Sequence, residues 1–140
     1  MIEDWVRLGA LLEDDPEVGK AIRHAGRDGG DVRAALFDAL DDAGALAYME
    51  WSDSGVELAD ALAQVPRVFQ TGADLDEVGD VAGGLTEAIA RADGILSAHD
   101  LRTVYLDEGS DACPLVVVAS GDVEEITALA ARLSFTARTF

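Results

Sequence analysis

The sequence predicts an α+β fold. N-terminal helices are followed by a ferredoxin-like β-α-β-β-α-β unit, whose four-stranded, mainly antiparallel sheet has helices packed on it. Three observations lead there. Apolar residues recur at helical spacing through residues 1–44. The period then shortens to two at Ala45–Trp51. Later, Pro114-Leu115-Val116-Val117-Val118-Ala119 is apolar on both faces, which suits a strand in the middle of a sheet.

The elements follow in order. Ile2, Trp5, Leu8 and Leu12 make the apolar stripe of a first helix. Asp15-Pro16 restarts the chain, with proline in a first turn where its missing N–H costs nothing. Val18, Ala21, Ile22 and Ala25 give the second helix its inner face, and Gly26–Gly30 breaks it. Asp31 is the expected N-cap of a third helix, with Val32, Ala35, Leu36, Ala39, Leu40 and Ala43 inward and Gly44 at its end. Asp38, Asp41 and Asp42 lie on its outer face. Ala45–Trp51 reads as a strand. Ser54 and Glu57 match a capping box, Leu58, Leu62 and Val65 continue that helix, and Pro66 stops it. Residues 70–84 read as an acidic, Gly-rich loop containing at most a turn of helix.

Leu85, Ile89, Ala92 and Leu96 mark the next amphipathic helix, which ends before His99-Asp100. Leu101–Leu106 is a strand, Asp107–Cys113 a polar turn, and Pro114–Ala119 the central strand. Ser120-Gly121-Asp122 opens a last helix with Val123, Ile126, Leu129, Ala130 and Leu133 on its core face. Acids in its first turn and Arg132 in its last complement the helix dipole. Ser134–Phe140 alternates and closes the chain as a strand. The expectation is one domain, with residues 1–44 a helical cap and 45–140 the α+β core.

Charge dominates the composition: 28 Asp+Glu against 10 Lys+Arg, a formal net charge of −18. Such a field repels nucleic acid and anionic membrane and favours cations or a basic protein partner. With 49% hydrophobic residues and a mean hydropathy of +0.14, the chain is no disordered acidic tail. Lys20 is the only lysine and Asp outnumbers Glu, a bias that suits a high-GC bacterium or a salt-adapted organism. The simplest account of the charge is a solubility coat. Cys113 is the only cysteine, the N-terminus lacks the pattern of a signal peptide, and no apolar stretch approaches the ~18 residues of a membrane span. A soluble cytoplasmic protein is therefore expected.

Few residues suggest chemistry. Asp74, Asp76 and Gly79 imitate the start of a calcium loop, but Leu85 stands where the bidentate acid belongs. Asp107, Glu108 and Asp111 put three carboxylates within five residues of a hairpin. They suit a hydrated divalent cation or an acid–base pair, and equally the turn itself. His24 and His99 belong to no ligand pair, and Cys113 has no basic neighbour in sequence that would make it nucleophilic. Trp5, Tyr48, Trp51 and Phe69 read as core rather than as a recognition patch. No cofactor is expected.

Tyr48-Met49-Glu50-Trp51-Ser52-Asp53 and Leu106-Asp107-Glu108-Gly109-Ser110-Asp111-Ala112-Cys113-Pro114-Leu115-Val116-Val117-Val118 carry a resemblance. They are similar to a bacterial domain family of unknown function, in which a strand ends in an acid-x-Trp-like step and a later hairpin reads roughly LD-x-x-SD-x-Y-PLVVV. The resemblance spans residues of about 45–135, and Cys113 stands where members often have Tyr. It implies the fold and directs attention to the Asp107–Asp111 hairpin, without implying a mechanism.

Three functions then compete. The first is a non-catalytic binding module, immunity- or antitoxin-like, that meets a basic partner through Asp38, Asp41, Asp42, Asp107, Glu108 and Asp111. The second is a metal-assisted hydrolase using the hairpin carboxylates. The third is an accessory domain that forms a homodimer through the C-terminal strand. The binding module ranks first.

Overall fold

Helical spacing and caps place the N-terminal elements where the sequence puts them. In the computed structural model, which describes all 140 residues, α1 is Ile2–Leu12, α2 Pro16–Arg27 and α3 Val32–Asp42. Asp31, the expected N-cap, accepts a hydrogen bond from the Ala34 amide, and Asp15 caps α2 in the same way by accepting from the Glu17 amide. The break falls within Gly26–Gly30 as expected, although Gly26 itself remains helical. That glycine is a contact point: a Cβ there would lie 2.8 Å from Ile2 Cδ1 of α1. The helix ends at Arg27, just before Gly29 takes a φ of +69°.

Strand β1 is Ala47–Glu50, shorter than expected, with Ala47 and Met49 buried and Tyr48 and Glu50 exposed. Four helices follow: α4 Gly55–Ala63, α5 Pro66–Thr71, α6 Asp76–Gly79 and α7 Leu85–Leu96. Ser54 and Glu57 form the expected capping box. Helix α4 ends at Ala63, with Val65 extended ahead of Pro66 as expected. Pro66 also takes the first position of α5, which takes in Gln70 and Thr71 from the expected loop. Strands β2, Leu101–Leu106, and β3, Ala112–Ala119, make the hairpin. A 3-10 turn at Ser120–Asp122 leads into α8, Val123–Arg132, and β4 is reduced to Ala137–Arg138.

The sheet is antiparallel with strand order β1-β3-β2-β4. A ferredoxin-like sheet would put β4 beside β1; here it lies beside β2. That one exchange moves a helix across the molecule. Both crossovers, β1 to β2 and β3 to β4, step the same way across the sheet while their strands run in opposite directions. Right-handed connections then send their helices to opposite faces. Two cores result. Leu58, Leu62, Ile89 and Leu96 of α4 and α7 pack on Met49, Cys113, Leu115 and Val117. Leu8, Ile22, Leu40 and Ile126 of α1, α2, α3 and α8 pack on Val104, Val116 and Val118. Helices cover both faces. The alternation of β3 between these cores is why its run is apolar on both sides.

Pro114 sits in a central strand, where proline is normally excluded. The register makes it tolerable. Tyr48 faces Pro114 across β1 and β3. The Glu50 amide and carbonyl both bond Asp53 rather than β3. By alternation, Tyr48–Pro114 is a pair that exchanges no hydrogen bond, where proline's missing donor costs nothing, and Ala47–Leu115 and Met49–Cys113 are the bonded pairs. On the other side the β2–β3 ladder stops at Tyr105–Leu115, one residue short of Pro114.

Because β1 and β4 are short, part of each central strand has an open edge. Two side chains close them. Arg67 of α5 donates from Nη1 to the Val117 carbonyl at 3.1 Å, beyond the start of β1, and to the Leu11 carbonyl at the end of α1 at 2.9 Å. The same guanidinium holds the Asp14 carboxylate at 2.9 Å. Asp93 of α7 accepts from the Thr103 amide at 2.9 Å and from its hydroxyl at 2.8 Å, beside the part of β2 that β4 does not reach.

Candidate functional site

Helices α2 and α3 enclose the largest cleft of the molecule, about 550 Å³. Its floor is alanine: Ala21 and Ala25 from α2, Ala35, Ala39 and Ala43 from α3. The four-residue spacing of these alanines puts them on facing stripes, and their small side chains keep the cleft open. Asp15, Glu17, Asp38 and Asp42 supply the walls. Asp38 and Asp42 are one helical turn apart and both face the cleft. The charges of Glu17 and Asp15 are already engaged, the first by Lys20 Nζ at 3.0 Å and the second by the N-cap of α2. His24, the one basic-capable lining residue, pairs with Asp28 at 3.0 Å. Asp38 and Asp42 meet no basic side chain.

Asp41, the third acid of the expected cluster, points elsewhere. It lines a second cavity of about 350 Å³ with Gly44, Leu46, Ala47, Tyr48, Ala61 and Gln64. That cavity runs beside β1, which is an outer strand of the sheet.

The hairpin acids are largely committed to their own turn. Asp107 accepts from the Gly109 amide at 2.8 Å, and Gly109 takes a φ of +87° that favours glycine. Glu108 accepts from the Ser110 hydroxyl at 2.7 Å and from the Tyr48 hydroxyl. The Tyr48 phenol is pushed up by that bond to the Glu108 carboxylate, because losing its proton would leave two anions together. Asp111 is exposed. No three His, Cys, Asp or Glu side chains converge in an arrangement that could hold a metal ion. The Asp74–Asp80 segment forms α6 instead of a calcium loop, with Asp74 accepting from the Asp76 amide at 2.9 Å.

Tyr48 thus joins two acid groups that are remote in sequence. It shares a cavity with Asp41 and a hydrogen bond with Glu108. The expectation that Tyr48, Trp51 and Phe69 are core is corrected: only Trp5 is buried, stacked on Phe135 with centroids 5.7 Å apart. Tyr48 is 47% exposed, Trp51 41% and Phe69 77%. Their sheet and helix positions lie outside both cores, which sequence spacing does not reveal. Trp51 closes a cluster with Tyr105 and Phe140, and Arg138 lies over the last two rings at 4.9 Å.

Cys113 is fully buried in the α4–α7 core, and burial pushes its thiol up to about 11. Native labelling with a disulfide reagent at pH 8 is therefore expected to be at least ~100-fold slower than in denaturant, limited by opening of the fold. Equal rates would overturn that placement. Arg67 and Asp93 close the open edges of the central strands, yet nothing in their sequence neighbourhoods marks them, since their partners are 10 to 56 residues away.

The model of a family described as "Domain of unknown function (DUF6630)" matches residues 3–140. The chain belongs to that family, and the match takes in the N-terminal helices that the hairpin resemblance left out. No curated protein and no solved structure matches it.

Proposed function

We propose that this chain, as a member of that family, is a non-catalytic binding module for a basic protein, immunity- or antitoxin-like in its manner of action. The observation that carries this reading is the cleft between α2 and α3: an alanine floor walled by Asp38 and Asp42, whose carboxylates have no basic partner of their own. A lysine- and arginine-bearing element with a small apolar face complements it in shape and charge. The net charge of −18 would speed the encounter and make its rate depend on salt. The hairpin suits an acid–base or metal role less well, because Asp107 and Glu108 spend oxygens on Gly109, Ser110 and Tyr48.

The test is affinity capture from cells of the source organism, with the wild-type chain and a D38N/D42N variant as baits. A basic protein should bind the wild type at low salt, elute as salt rises, and be depleted at least ~10-fold on the variant. Both substitutions are on the surface, so melting temperature should stay within about 1–2 °C. Capture of no basic protein, or equal capture by both baits, would refute the reading.

A further inference from the structure

We infer that the free edge of β1 takes up an extended basic peptide as a fifth strand of the sheet. This goes beyond the α2–α3 cleft and does not depend on it.

The backbone defines the edge. Tyr48–Pro114 exchanges no ladder bond, so the amide and carbonyl of Tyr48 turn away from β3. The same outward direction is seen two residues on, where the Glu50 amide donates to Asp53 at 2.8 Å and the Glu50 carbonyl accepts from the Asp53 amide at 2.9 Å. Asp53 closes the edge at Glu50; at Tyr48 it stays open. The open edges of β2 and β3 are closed by Asp93 and Arg67. Of the two outer strands, β4 is only two residues long, and β1 is the one with a cavity beside it and main-chain groups directed outward, which is what strand addition requires.

The walls of the cavity define the occupant. On one side stand Asp41 and Gly44 at the C-terminal end of α3; on the other stand Ala61 and Gln64 at the C-terminal end of α4. Side chains of an added strand would alternate between these walls. Those on the α3 side meet Asp41 and the Tyr48 ring, and those on the α4 side meet Ala47 and Ala61. Two helix C-termini and a carboxylate favour positive charge. The pattern that fits is Lys or Arg alternating with small apolar residues. A second copy of this chain fits badly, because pairing β1 with itself would bring each Asp41 and Glu50 against an equally acidic edge.

The probe is acetyl-Lys-Val-Lys-Val-Lys-Val-amide, added to the full-length ¹⁵N-labelled chain and followed by amide hydrogen exchange. At saturation the Tyr48 amide should exchange at least ~10-fold more slowly. D41N should weaken probe binding at least ~5-fold, whereas D38N/D42N should change it less than ~2-fold; both variants alter exposed groups and leave the fold intact. The peptide with Glu in place of Lys should not bind. Absence of binding at millimolar probe, or binding that leaves Tyr48 exchange unchanged, would overturn the inference. So would Tyr48 protection that rises with protein concentration alone, which would assign the edge to a second copy. Loss of partner capture on D38N/D42N with Tyr48 protection intact separates this edge from the cleft.

Discussion

Arg67→Ala is expected to destabilise the fold by about 3 kcal/mol, read as a lower urea midpoint with an unchanged slope. The side chain of Arg67 is only 13% exposed and serves three acceptors at once. Removing it leaves the Val117 and Leu11 carbonyls without a donor, and an unsatisfied buried acceptor costs about 1–3 kcal/mol. Asp14 is largely exposed, so its ion pair adds little to that loss. Arg67→Lys should recover part of the stability and no more, because a single ammonium cannot span a sheet edge, a helix end and a carboxylate.

The same contact has a pH signature. The Arg67 guanidinium holds the Asp14 carboxyl below its ordinary value of 3.8. A carboxyl lowered on folding stabilises the native state above the unfolded value, and that contribution fades as pH falls below 3.8 through the folded value. In Arg67→Ala this acid-side dependence should flatten. A variant as stable as the wild type would show that the sheet edge needs no donor from α5.

Gly55→Ala is expected to cost about 2–3 kcal/mol, although helix propensity alone points the other way. Glycine inside a helix is about 1 kcal/mol less favourable than alanine, and although Gly55 is the first residue of α4, where that penalty is smaller, propensity alone gives no reason for a loss. At Gly55, however, a Cβ would stand 2.1 Å from the Val78 carbonyl oxygen of α6. Backbone cannot swing aside as a side chain does, so α4 and α6 must separate and their shared core must loosen. Gly94→Ala in α7 is the matched control. Nothing lies within 4 Å of its new methyl, and it should stabilise by about 0.5–1 kcal/mol. Thermal unfolding of the pair decides the matter: shifts of the same sign would mean that the close approach at Gly55 does not bear load.

Element positions were legible because they depend on neighbours in the chain. The N-cap Asp31, the Asp15-Pro16 restart, the Ser54–Glu57 box, β2 and the span of α7 all follow from residues within a turn or two of one another. Helix α2 ends inside the Gly26–Gly30 stretch, but the helical place of Gly26 itself, set by contact with Ile2 of another helix, is not local. Pro66 is the stop that the sequence indicates and also the start of α5, a second role that local spacing does not show. The candidate site divides in the same way. Asp38 and Asp42 were found as a surface cluster, but only packing sends them into the α2–α3 cleft and turns Asp41 toward β1. Tyr48 was assigned to the core because aromatic residues usually are; its place on an outer strand, bonded to Glu108, depends on the hairpin 60 residues later.

From the sequence alone came the α+β class, the order of the strands and of the longer helices, the central place of the Leu115–Val118 run and the acidic surface. Each is a one-dimensional property, a period, a cap or a charge count. The tertiary structure alone decided that β4 lies beside β2, which moves α8 to the opposite face and gives the sheet two cores. It also decided that Arg67 and Asp93 close the open edges while β1 keeps one free. Strand order and edge closure depend on contacts between segments tens of residues apart, where local spacing carries no information.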